Sequence, residues 1–296
     1  MKILKAALLG RSLTHSISPE VHGALFDIVR SKCNTDYDTL DYSKIECQNE
    51  NDFLSIVEHG SENGYRGFNV TFPYKFAASK MTGESSQVVK NILSANSILY
   101  DVPLKIASTD GDGFCYAIEK SCPSLQPDKY ALMILGVGGA ARAVLHAIHQ
   151  YGWRSITVAA RSIEQANRAA LPYRSVSVSP LEEISRDEEK QFIVQATPVG
   201  QCAADSLLEN FEWRDGDIAM DLVYNPLRTR FLDNAANMGA EIVDGLGMLM
   251  EQAALSQYFW MTGNEADHSL LTQAEFQDIH AKLSKLLTPR WDAFAI

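Results

Sequence analysis

Clustered basic residues, paired cysteines and long apolar runs are all lacking in this sequence of 296 residues. The chain carries 26 Lys and Arg against 37 Asp and Glu, a formal net charge of −11, and no Lys/Arg-rich block. Nucleic acids and anionic membranes are bound through clustered cations, so neither is a predicted partner. No run of about 18 apolar residues occurs, so no transmembrane helix is predicted.

Disulfide and metal signatures are missing as well. The five cysteines are odd in number and contain no C-x-x-C pair, which argues against a disulfide framework or a structural zinc site. They indicate reduced thiols in a cytoplasmic protein. No H-E-x-x-H motif occurs, and the i,i+3 pair His146 and His149 fits partly exposed helix residues better than a metal site. No metal is predicted.

What is present is a globular composition, with 46% hydrophobic and 21% charged residues, in a chain long enough for two domains. The N-terminal stretch MKILKAALLG is interrupted by Lys5 and lacks a signal-peptide cleavage pattern, so we interpret it as a first strand. DYDTLDY and RGFNVTF are further strand patterns. Helix patterns lie between them, the first with Ser18 as its predicted cap. This β-α-β-α-β alternation predicts an open, mostly parallel α/β sheet.

The stretch GFNVTFPYK, residues 67–75, mixes polar and apolar side chains in a way that an ordinary strand or loop would not. Taken alone, it also fits a strand end with a snorkelling lysine. Its position beyond a strand end places Thr71 and Lys75 where open α/β sheets bind ligands. The polar loop GRSLTHSISP follows the first strand and should lie at the same edge. We therefore predict a ligand site there.

A second α/β series begins near residue 130 with YALMILGVGGAARAVLHAIHQYG. Gly136, Gly138 and Ala141 match the G-x-G-x-x-[GA] spacing between a strand and a helix. The glycines permit a tight turn and a close approach of pyrophosphate, and the helix N-terminus attracts its charge. The pattern predicts dinucleotide binding.

The tip of the next strand, SITVAA, indicates which dinucleotide is bound. NAD sites usually carry an acid here, whereas this chain has Arg161 and Ser162. A cation suits a 2′-phosphate, so the sequence predicts NADP, with NAD as the other choice if Arg161 is only a surface residue.

The later strand patterns are QFIVQATPVG, DIAMDLVYNP and AEIVDG, and a long helix follows the last of them. We predict two domains. Residues 1–109 plus 245–296 form a substrate-binding and catalytic domain, and residues 110–244 form a Rossmann-type dinucleotide-binding domain. The C-terminal helices are predicted to pack back on the first domain.

In order and approximate spacing, HSISP, GFNVTFPYK, SANSIL, STDGDG, LGVGGAAR, DLVYNP and DGLGMLMEQAA resemble the motifs of the shikimate dehydrogenase family over nearly the whole chain. The resemblance implies a catalytic pair, Lys75 and Asp110. It implies substrate ligands at Ser16, Ser18, Thr71, Asn96, Tyr224 and Gln252. It implies cofactor contacts at Gly136, Val137, Gly138, Gly139, Ala140, Thr197, Leu222 and Gly245.

The chemistry of these side chains agrees with that implication. Reducing a ring ketone requires hydride at carbon and a proton at oxygen, and a lysine beside the carbonyl donates that proton. Hydroxyl groups suit a substrate carboxylate, and amides suit polyol hydroxyls because they both donate and accept. The cofactor carries the hydride, so a metal is not required.

Departures from the family's usual motifs leave alternatives open. The family usually has Asn where this chain has Ser108, and Thr where it has Ser97. It usually has a second Arg where this chain has Gln165, and Asn where it has Gln195. The predicted activity is NADP-dependent interconversion of shikimate and 3-dehydroshikimate, by a monomer or homodimer. Alternatives are a quinate/shikimate dehydrogenase or amino-analogue paralogue with relaxed NAD/NADP use, a catalytically weak dinucleotide-binding protein, and a glycine-turn methyltransferase.

Overall fold

The computed structural model describes residues 1–186 and 188–290, which fold into two compact units. The first unit comprises Met1–Tyr116 and Leu249–Ile279. Of the described residues, the second comprises those of 117–248 and 280–290. Both are α/β units built on a six-stranded sheet, as the alternating patterns predicted.

The first unit contains a mixed sheet in the order β2-β1-β3-β5-β6-β4. Its strands are β1 (Ile3–Gly10), β2 (Thr39–Glu46), β3 (Gly67–Val70), β4 (Glu84–Ser85), β5 (Ser97–Leu99) and β6 (Lys105–Ala107). Its helices are α1 (Ser18–Ser31), α2 (Glu50–Glu58), α3 (Lys75–Ser79), α4 (Gln87–Ile92) and the start of α5 (Asp110–Ser121). The central strand β1 pairs in parallel with the edge strand β2 and with β3, whereas β5 is antiparallel to both of its neighbours.

The core of the first unit explains why its strands are so apolar. β1 has its last five residues buried, as expected for a central strand covered on both faces. Trp260 is fully buried, and its Nε1 donates a hydrogen bond to Ile98 O at 3.0 Å. A Cβ on Gly67 would approach the Trp260 indole to 2.4 Å. Glycine is therefore required at the start of β3, where the indole packs directly on the backbone.

The second unit contains a fully parallel sheet in the order β12-β11-β10-β7-β8-β9. Its strands are β7 (Tyr130–Leu135), β8 (Ser155–Ala160), β9 (Val176–Pro180), β10 (Lys190–Gln195), β11 (Ile218–Asp221) and β12 (Glu241–Val243). The remaining helices of the chain are α6 (Gly139–Ile148), α7 (Ile163–Ala170), α8 (Arg230–Asn237), α9 (Leu246–Thr262) and α10 (Gln273–Leu283). Short 3₁₀ turns lie at Pro127–Lys129, Leu181–Glu183 and Ser284–Leu286. This strand order is that of the Rossmann fold.

The unit boundaries differ from those expected from the sequence at 109/110 and 244/245. The first unit extends through Tyr116, because Asp110 at the start of α5 hydrogen-bonds Asn96 of the same unit. The chain from His280 onward belongs to the second unit, where His280 contacts Asp244 and Leu227 N donates to Thr288 O at 3.0 Å. Residues 291–296 of the predicted range lie outside the described residues.

Two further observations concern the features that the sequence lacked. None of the five cysteines, all of which the structure describes, forms a disulfide bond. In the part of the chain that the structure describes, no helix is both long and apolar enough to cross a membrane.

Candidate active site

The strongest polar contact at the carboxyl edge of the first sheet joins Lys75 to Asp110. Lys75 is the first residue of α3, and Asp110 is the first residue of α5. Lys75 Nζ lies 2.6 Å from Asp110 Oδ2, and the two side chains are 18% and 5% exposed. An ion pair this short and this sheltered holds the ammonium in one place while leaving part of it accessible to a ligand.

Two amide side chains complete this group. Asn96, which precedes β5, donates from Nδ2 toward Asp110 Oδ1 at 3.0 Å and toward Gln252 Oε1 at 3.1 Å. Gln252 lies on α9, and its Nε2 donates to Leu249 O at 2.9 Å. Hydrogen bonds thus connect four predicted site residues, namely Lys75, Asp110, Asn96 and Gln252.

Buried polar residues that the sequence analysis did not single out form hydrogen bonds with members of this group. Asn69 donates from Nδ2 to Asn96 O at 3.0 Å and to Ser256 Oγ at 2.9 Å. Thr109 N donates to Asn96 Oδ1 at 2.7 Å, which fixes the orientation of that amide. Thr109 Oγ1 donates to Gln252 O at 3.0 Å. The available signal for Asn69 was an amide in the middle of an otherwise apolar strand.

The two serines of the predicted carboxylate site lie together, with Ser16 Oγ and Ser18 Oγ 3.0 Å apart. The predicted capping role of Ser18 is wrong, because α1 begins at Ser18 and the preceding residue, Ile17, occupies the cap position without a side-chain bond. Lys44 Nζ donates to Ser16 O at 3.0 Å and holds the loop in place. Ser16 Oγ also accepts from Ser18 N at 3.3 Å, so the hydroxyl of Ser16 contacts the first residue of α1 as well as the hydroxyl of Ser18.

Thr71 lies where the serine loop leaves the sheet. Its amide donates to Leu9 O at 2.9 Å, and Arg11 N donates to Phe72 O at 3.1 Å. A Cβ on Gly10 would approach Thr71 Cγ2 to 2.5 Å, so the two strand ends touch. The end of β3 and the start of the serine loop are consequently side by side, as the sequence predicted.

In the second unit, the glycine turn between β7 and α6 has the shape of a phosphate cradle. Gly136 has a φ of +108°, a backbone conformation that residues with a side chain rarely adopt. A Cβ at this position would also approach Thr197 Cγ2 to 2.9 Å. Gly138 precedes the first turn of α6, and a Cβ there would meet no described atom within 4 Å. Val137 lies between these glycines, and Gly139 and Ala140 begin the helix. Their open backbone N–H groups fit a pyrophosphate.

Arg161 and Ser162 follow β8, as predicted for the ribose end of the dinucleotide. Among the residues that the structure describes, exposed Arg161 makes no hydrogen bond or ion pair. Glu164, the nearest acid along the chain, is instead paired with Arg168 at 2.6 Å. Ser162 caps α7, its Oγ accepting from Gln165 N at 3.4 Å. Arg161 is thus available to an anionic group.

The predicted nicotinamide-side residues follow three neighbouring strands of the second sheet. Thr197 follows β10, Leu222 follows β11 and Gly245 follows β12. A Cβ on Gly245 would approach Leu222 O to 2.5 Å, so the chain passes directly over that carbonyl. Tyr224 is half-buried in the segment after β11 and belongs to the second unit, so its predicted contact with the substrate stays a prediction.

Metal ligation has no support among residues 1–186 and 188–290, where no group of three or more His, Cys, Asp or Glu is arranged to hold an ion. His146 and His149 stack with ring centroids 5.5 Å apart. The Nδ1 atom of His146 lies 2.9 Å from the Tyr173 hydroxyl.

Comparison with known proteins agrees with this geometry. A family model described as the shikimate dehydrogenase substrate binding domain matches residues 8–98. A shikimate dehydrogenase (NADP(+)) of Caldicellulosiruptor bescii is 31% identical over 266 residues, which cover 86% of this chain and 88% of that protein. The chain belongs to the shikimate dehydrogenase family.

Solved structures of the shikimate dehydrogenase family share the fold over almost the full chain. Shikimate dehydrogenase 1 of Peptoclostridium difficile superimposes with a TM-score of 0.78 at 27% identity, covering 97% of this chain and 100% of that one. Shikimate 5-dehydrogenase of Thermus thermophilus, solved in complex with NADP(H) and shikimate, has a TM-score of 0.74 at 28% identity and covers 94% of this chain and 99% of that one. The matched segment 8–98 contains Ser16, Ser18, Thr71, Lys75 and Asn96.

Proposed function

We propose that this protein is an NADP-dependent shikimate dehydrogenase, an oxidoreductase that reversibly reduces 3-dehydroshikimate to shikimate. The observation that carries the proposal is the 2.6 Å contact of Lys75 with Asp110, which Asn96 and Gln252 adjoin. A lysine, a carboxylate and two amides at one sheet edge match a ligand that carries a ketone or alcohol among other hydroxyls. Membership of the family supports the same activity.

Lys75 is the proposed proton donor and acceptor. In the reducing direction a ring carbonyl carbon receives hydride, and its oxygen takes a proton from the Lys75 ammonium. In the oxidising direction, neutral Lys75 takes the hydroxyl proton as hydride leaves the carbon. In both directions Asp110 orients Nζ and accepts a hydrogen bond from a substrate hydroxyl.

Substrate binding follows from the other side chains of the first unit. The paired hydroxyls of Ser16 and Ser18 are proposed to donate to the ring carboxylate, with Tyr224 as a further predicted hydroxyl donor. Thr71, Asn96 and Gln252 are proposed to bind the ring hydroxyls. Because each amide both donates and accepts, Asn96 and Gln252 retain bonding capacity beyond the contacts that they make with protein.

The second unit is proposed to hold NADP, which supplies the hydride when bound. The turn from Gly136 to Ala140 would bind the pyrophosphate, and Arg161 with Ser162 would bind the 2′-phosphate. Backbone and side-chain atoms of Thr197, Leu222 and Gly245 would contact the nicotinamide side.

One observation favours a second candidate, a quinate/shikimate dehydrogenase or paralogue that also uses NAD. Arg161 is the one cation of the AARSIEQ turn, and exposed Gln165 stands where the family often has a second arginine. A single guanidinium gives less preference for the 2′-phosphate than two would.

A spectrophotometric screen tests both candidates. Purified protein is incubated with shikimate or quinate, each with NADP or NAD, and the absorbance of the reduced nicotinamide is followed. We expect the highest kcat/KM for shikimate with NADP. A higher value for quinate would establish the second candidate, and activity with neither acid would overturn the proposed substrate class.

The predicted cytoplasmic location and the monomeric or homodimeric state remain predictions.

A further inference from the structure

Residues 196–217, all of which the structure describes, connect β10 to β11 without a helix or strand. In a helix or strand, backbone groups bind one another, so this long segment must satisfy its polar groups in other ways. Its second residue is Thr197, the proposed nicotinamide-side residue of this segment. What fixes the first turn of the segment therefore matters for the cofactor.

Gln195, the last residue of β10, performs that role. Its side chain is 1% exposed. Its Oε1 accepts from Thr197 N at 2.5 Å, and its Nε2 donates to Val199 O at 2.9 Å. The side-chain amide of Gln195 thus makes two hydrogen bonds with backbone groups on either side of this turn. In a helix or strand, such backbone groups would have bonded to other backbone groups.

Asp221, the last residue of β11, connects this turn to the next segment. Its Oδ1 accepts from Gln195 Nε2 at 3.2 Å and from Val223 N at 2.9 Å. Its Oδ2 accepts from Thr229 Oγ1 at 2.6 Å. The carboxyl is fully buried, and burial raises its pKa to about 7 although all three hydrogen bonds favour the charged form. Strongly perturbed pKa values of buried groups cluster at functional sites.

The family usually places Asn where this chain has Gln195. The asparagine side chain is one methylene shorter. The longer glutamine contacts Thr197, Val199 and Asp221 simultaneously. The link between the two segments therefore depends on a residue at which this chain departs from the usual motif.

We propose that Gln195 and Asp221 are positioning residues that together hold the segments carrying Thr197 and Leu222 in the conformation that receives the nicotinamide half of NADP. The inference rests on the proposed function for the identity of the cofactor. Neither side chain is placed in contact with the dinucleotide. Their effect is transmitted through the backbone of residues 197–199 and 222–223.

The test compares two ligands, NADPH and adenosine 2′,5′-bisphosphate, which lacks the nicotinamide half. Dissociation constants are measured by calorimetry for wild type, Gln195→Asn, Asp221→Asn and the double variant. Losing one buried hydrogen bond corresponds to about a 3- to 10-fold weaker affinity. We expect that loss for NADPH in each single variant and less than about 2-fold for the bisphosphate.

A matched control comes from the same strand. Gln191 is also buried, at 2%, and bonds Glu189 O from Nε2 at 3.0 Å at the other end of β10. Gln191→Asn should leave both dissociation constants unchanged. Because Gln195 and Asp221 act as one unit, the double variant should lose less NADPH affinity than the product of the two single losses. The KM for shikimate should stay constant while the KM for NADP rises.

Each outcome decides the inference. Equal losses for NADPH and the bisphosphate, or losses no larger than those of Gln191→Asn, would overturn it. If Asp221→Asn fails to fold, Gln195→Asn with its control still decides. A wild type that binds NADPH without oxidising shikimate would overturn the proposed substrate while leaving the binding comparison valid. A wild type that does not bind NADPH would overturn both proposals.

Discussion

Lys75 is the residue at which the proposed chemistry is most directly testable. Lys75→Ala removes the proposed proton donor, so we expect turnover to fall about 10²- to 10⁴-fold, the range of general acid–base catalysis. The KM for shikimate should change less, because the serines and amides proposed to bind the substrate are unchanged. Steady-state kinetics in both directions measure the two effects separately.

A suitable control for that variant lies at the end of the same short helix. Lys80 is exposed, with its Nζ 4.0 Å from the centre of the Phe76 ring. Lys80→Ala removes the same charge from the same helix and should leave turnover near the wild-type value. A Lys75→Ala enzyme as active as Lys80→Ala would remove Lys75 from the mechanism.

Arg161 is the residue that we expect to decide the cofactor preference. Its guanidinium has no protein partner in the described chain, and only NADP carries the 2′-phosphate that would provide one. Arg161→Ala should therefore raise the KM for NADP about 10- to 100-fold, the value of one charged hydrogen-bonding contact, with little change for NAD. Equal increases for both cofactors would show that Arg161 does not bind the 2′-phosphate. Exposed Arg174, beyond the other end of α7, provides the control variant Arg174→Ala.

Sequence motifs provided the candidate residues for the proposed chemistry but not the contacts that hold those residues in place. Lys75 and Asp110 were predicted from their motifs, and the structure places them 2.6 Å apart. The support from Asn69 to Ser256 spans 187 positions, and that from Asn96 to Gln252 spans 156. Contacts over such separations depend on how α9 packs, for which no local pattern exists.

Helix α10 provides a pH test at the scale of an element. His280 Nε2 lies 3.0 Å from Asp244 Oδ1, which also accepts from Leu246 N at the start of α9. This hydrogen bond, assisted by the charge of Asp244, raises the pKa of His280 above its ordinary value of 6.5. The His280–Asp244 ion pair therefore makes its full contribution to the free energy of unfolding at pH values below the ordinary pKa. That contribution is lost as the pH rises through the raised pKa of the folded state.

The measurement is the free energy of unfolding of wild type and His280→Asn at several pH values between about 5.5 and 8.5. We expect the destabilisation caused by the substitution to shrink as pH rises. Exposed His268, 2.8 Å from Asp267, is the control, and His268→Asn should have little effect. A destabilisation by His280→Asn that is constant with pH would mean that the ion pair contributes nothing.

The strand predictions were accurate to different degrees. The eight-residue β1, Ile3–Gly10, lies within the predicted stretch MKILKAALLG and ends with it at Gly10. The prediction for β2, DYDTLDY, begins and ends too early, because the edge strand is placed by its pairing along all of β1, from Ile3 with Thr39 to Gly10 with Glu46. The antiparallel β5 has three residues, too few for any period to be visible.

At the scale of the whole molecule, the first unit is discontinuous in sequence. Residues 1–116 lack Trp260, whose loss from a core costs about 3–5 kcal/mol, comparable with the whole stability of many domains. We expect the fragment 1–116 to lack a cooperative urea transition by circular dichroism. A chain joining 1–116 to 249–279 through a short Gly/Ser linker should regain it.

The joined fragment is geometrically reasonable because a Cβ on Gly113 would lie 2.8 Å from Gln252 N, so the two segments already touch. A fragment 1–116 as stable as the joined chain would show that α9 is dispensable for this fold. The sequence could predict two α/β units from their repeated patterns. It could not place the boundaries, since side-chain contacts of Asp110 and His280 decide which unit the ends of α5 and α10 join.

Trp260 also gives the molecule an internal optical reporter. Of the tryptophans in residues 1–186 and 188–290, it alone falls within the first unit, where it is fully buried. With Trp153, Trp213 and Trp291 replaced by phenylalanine, the remaining indole fluorescence would arise from that unit alone. Its emission should lie to the blue of a solvated indole and shift to the red when the first unit opens, so the unfolding of the shikimate-binding half can be followed separately from that of the dinucleotide-binding half.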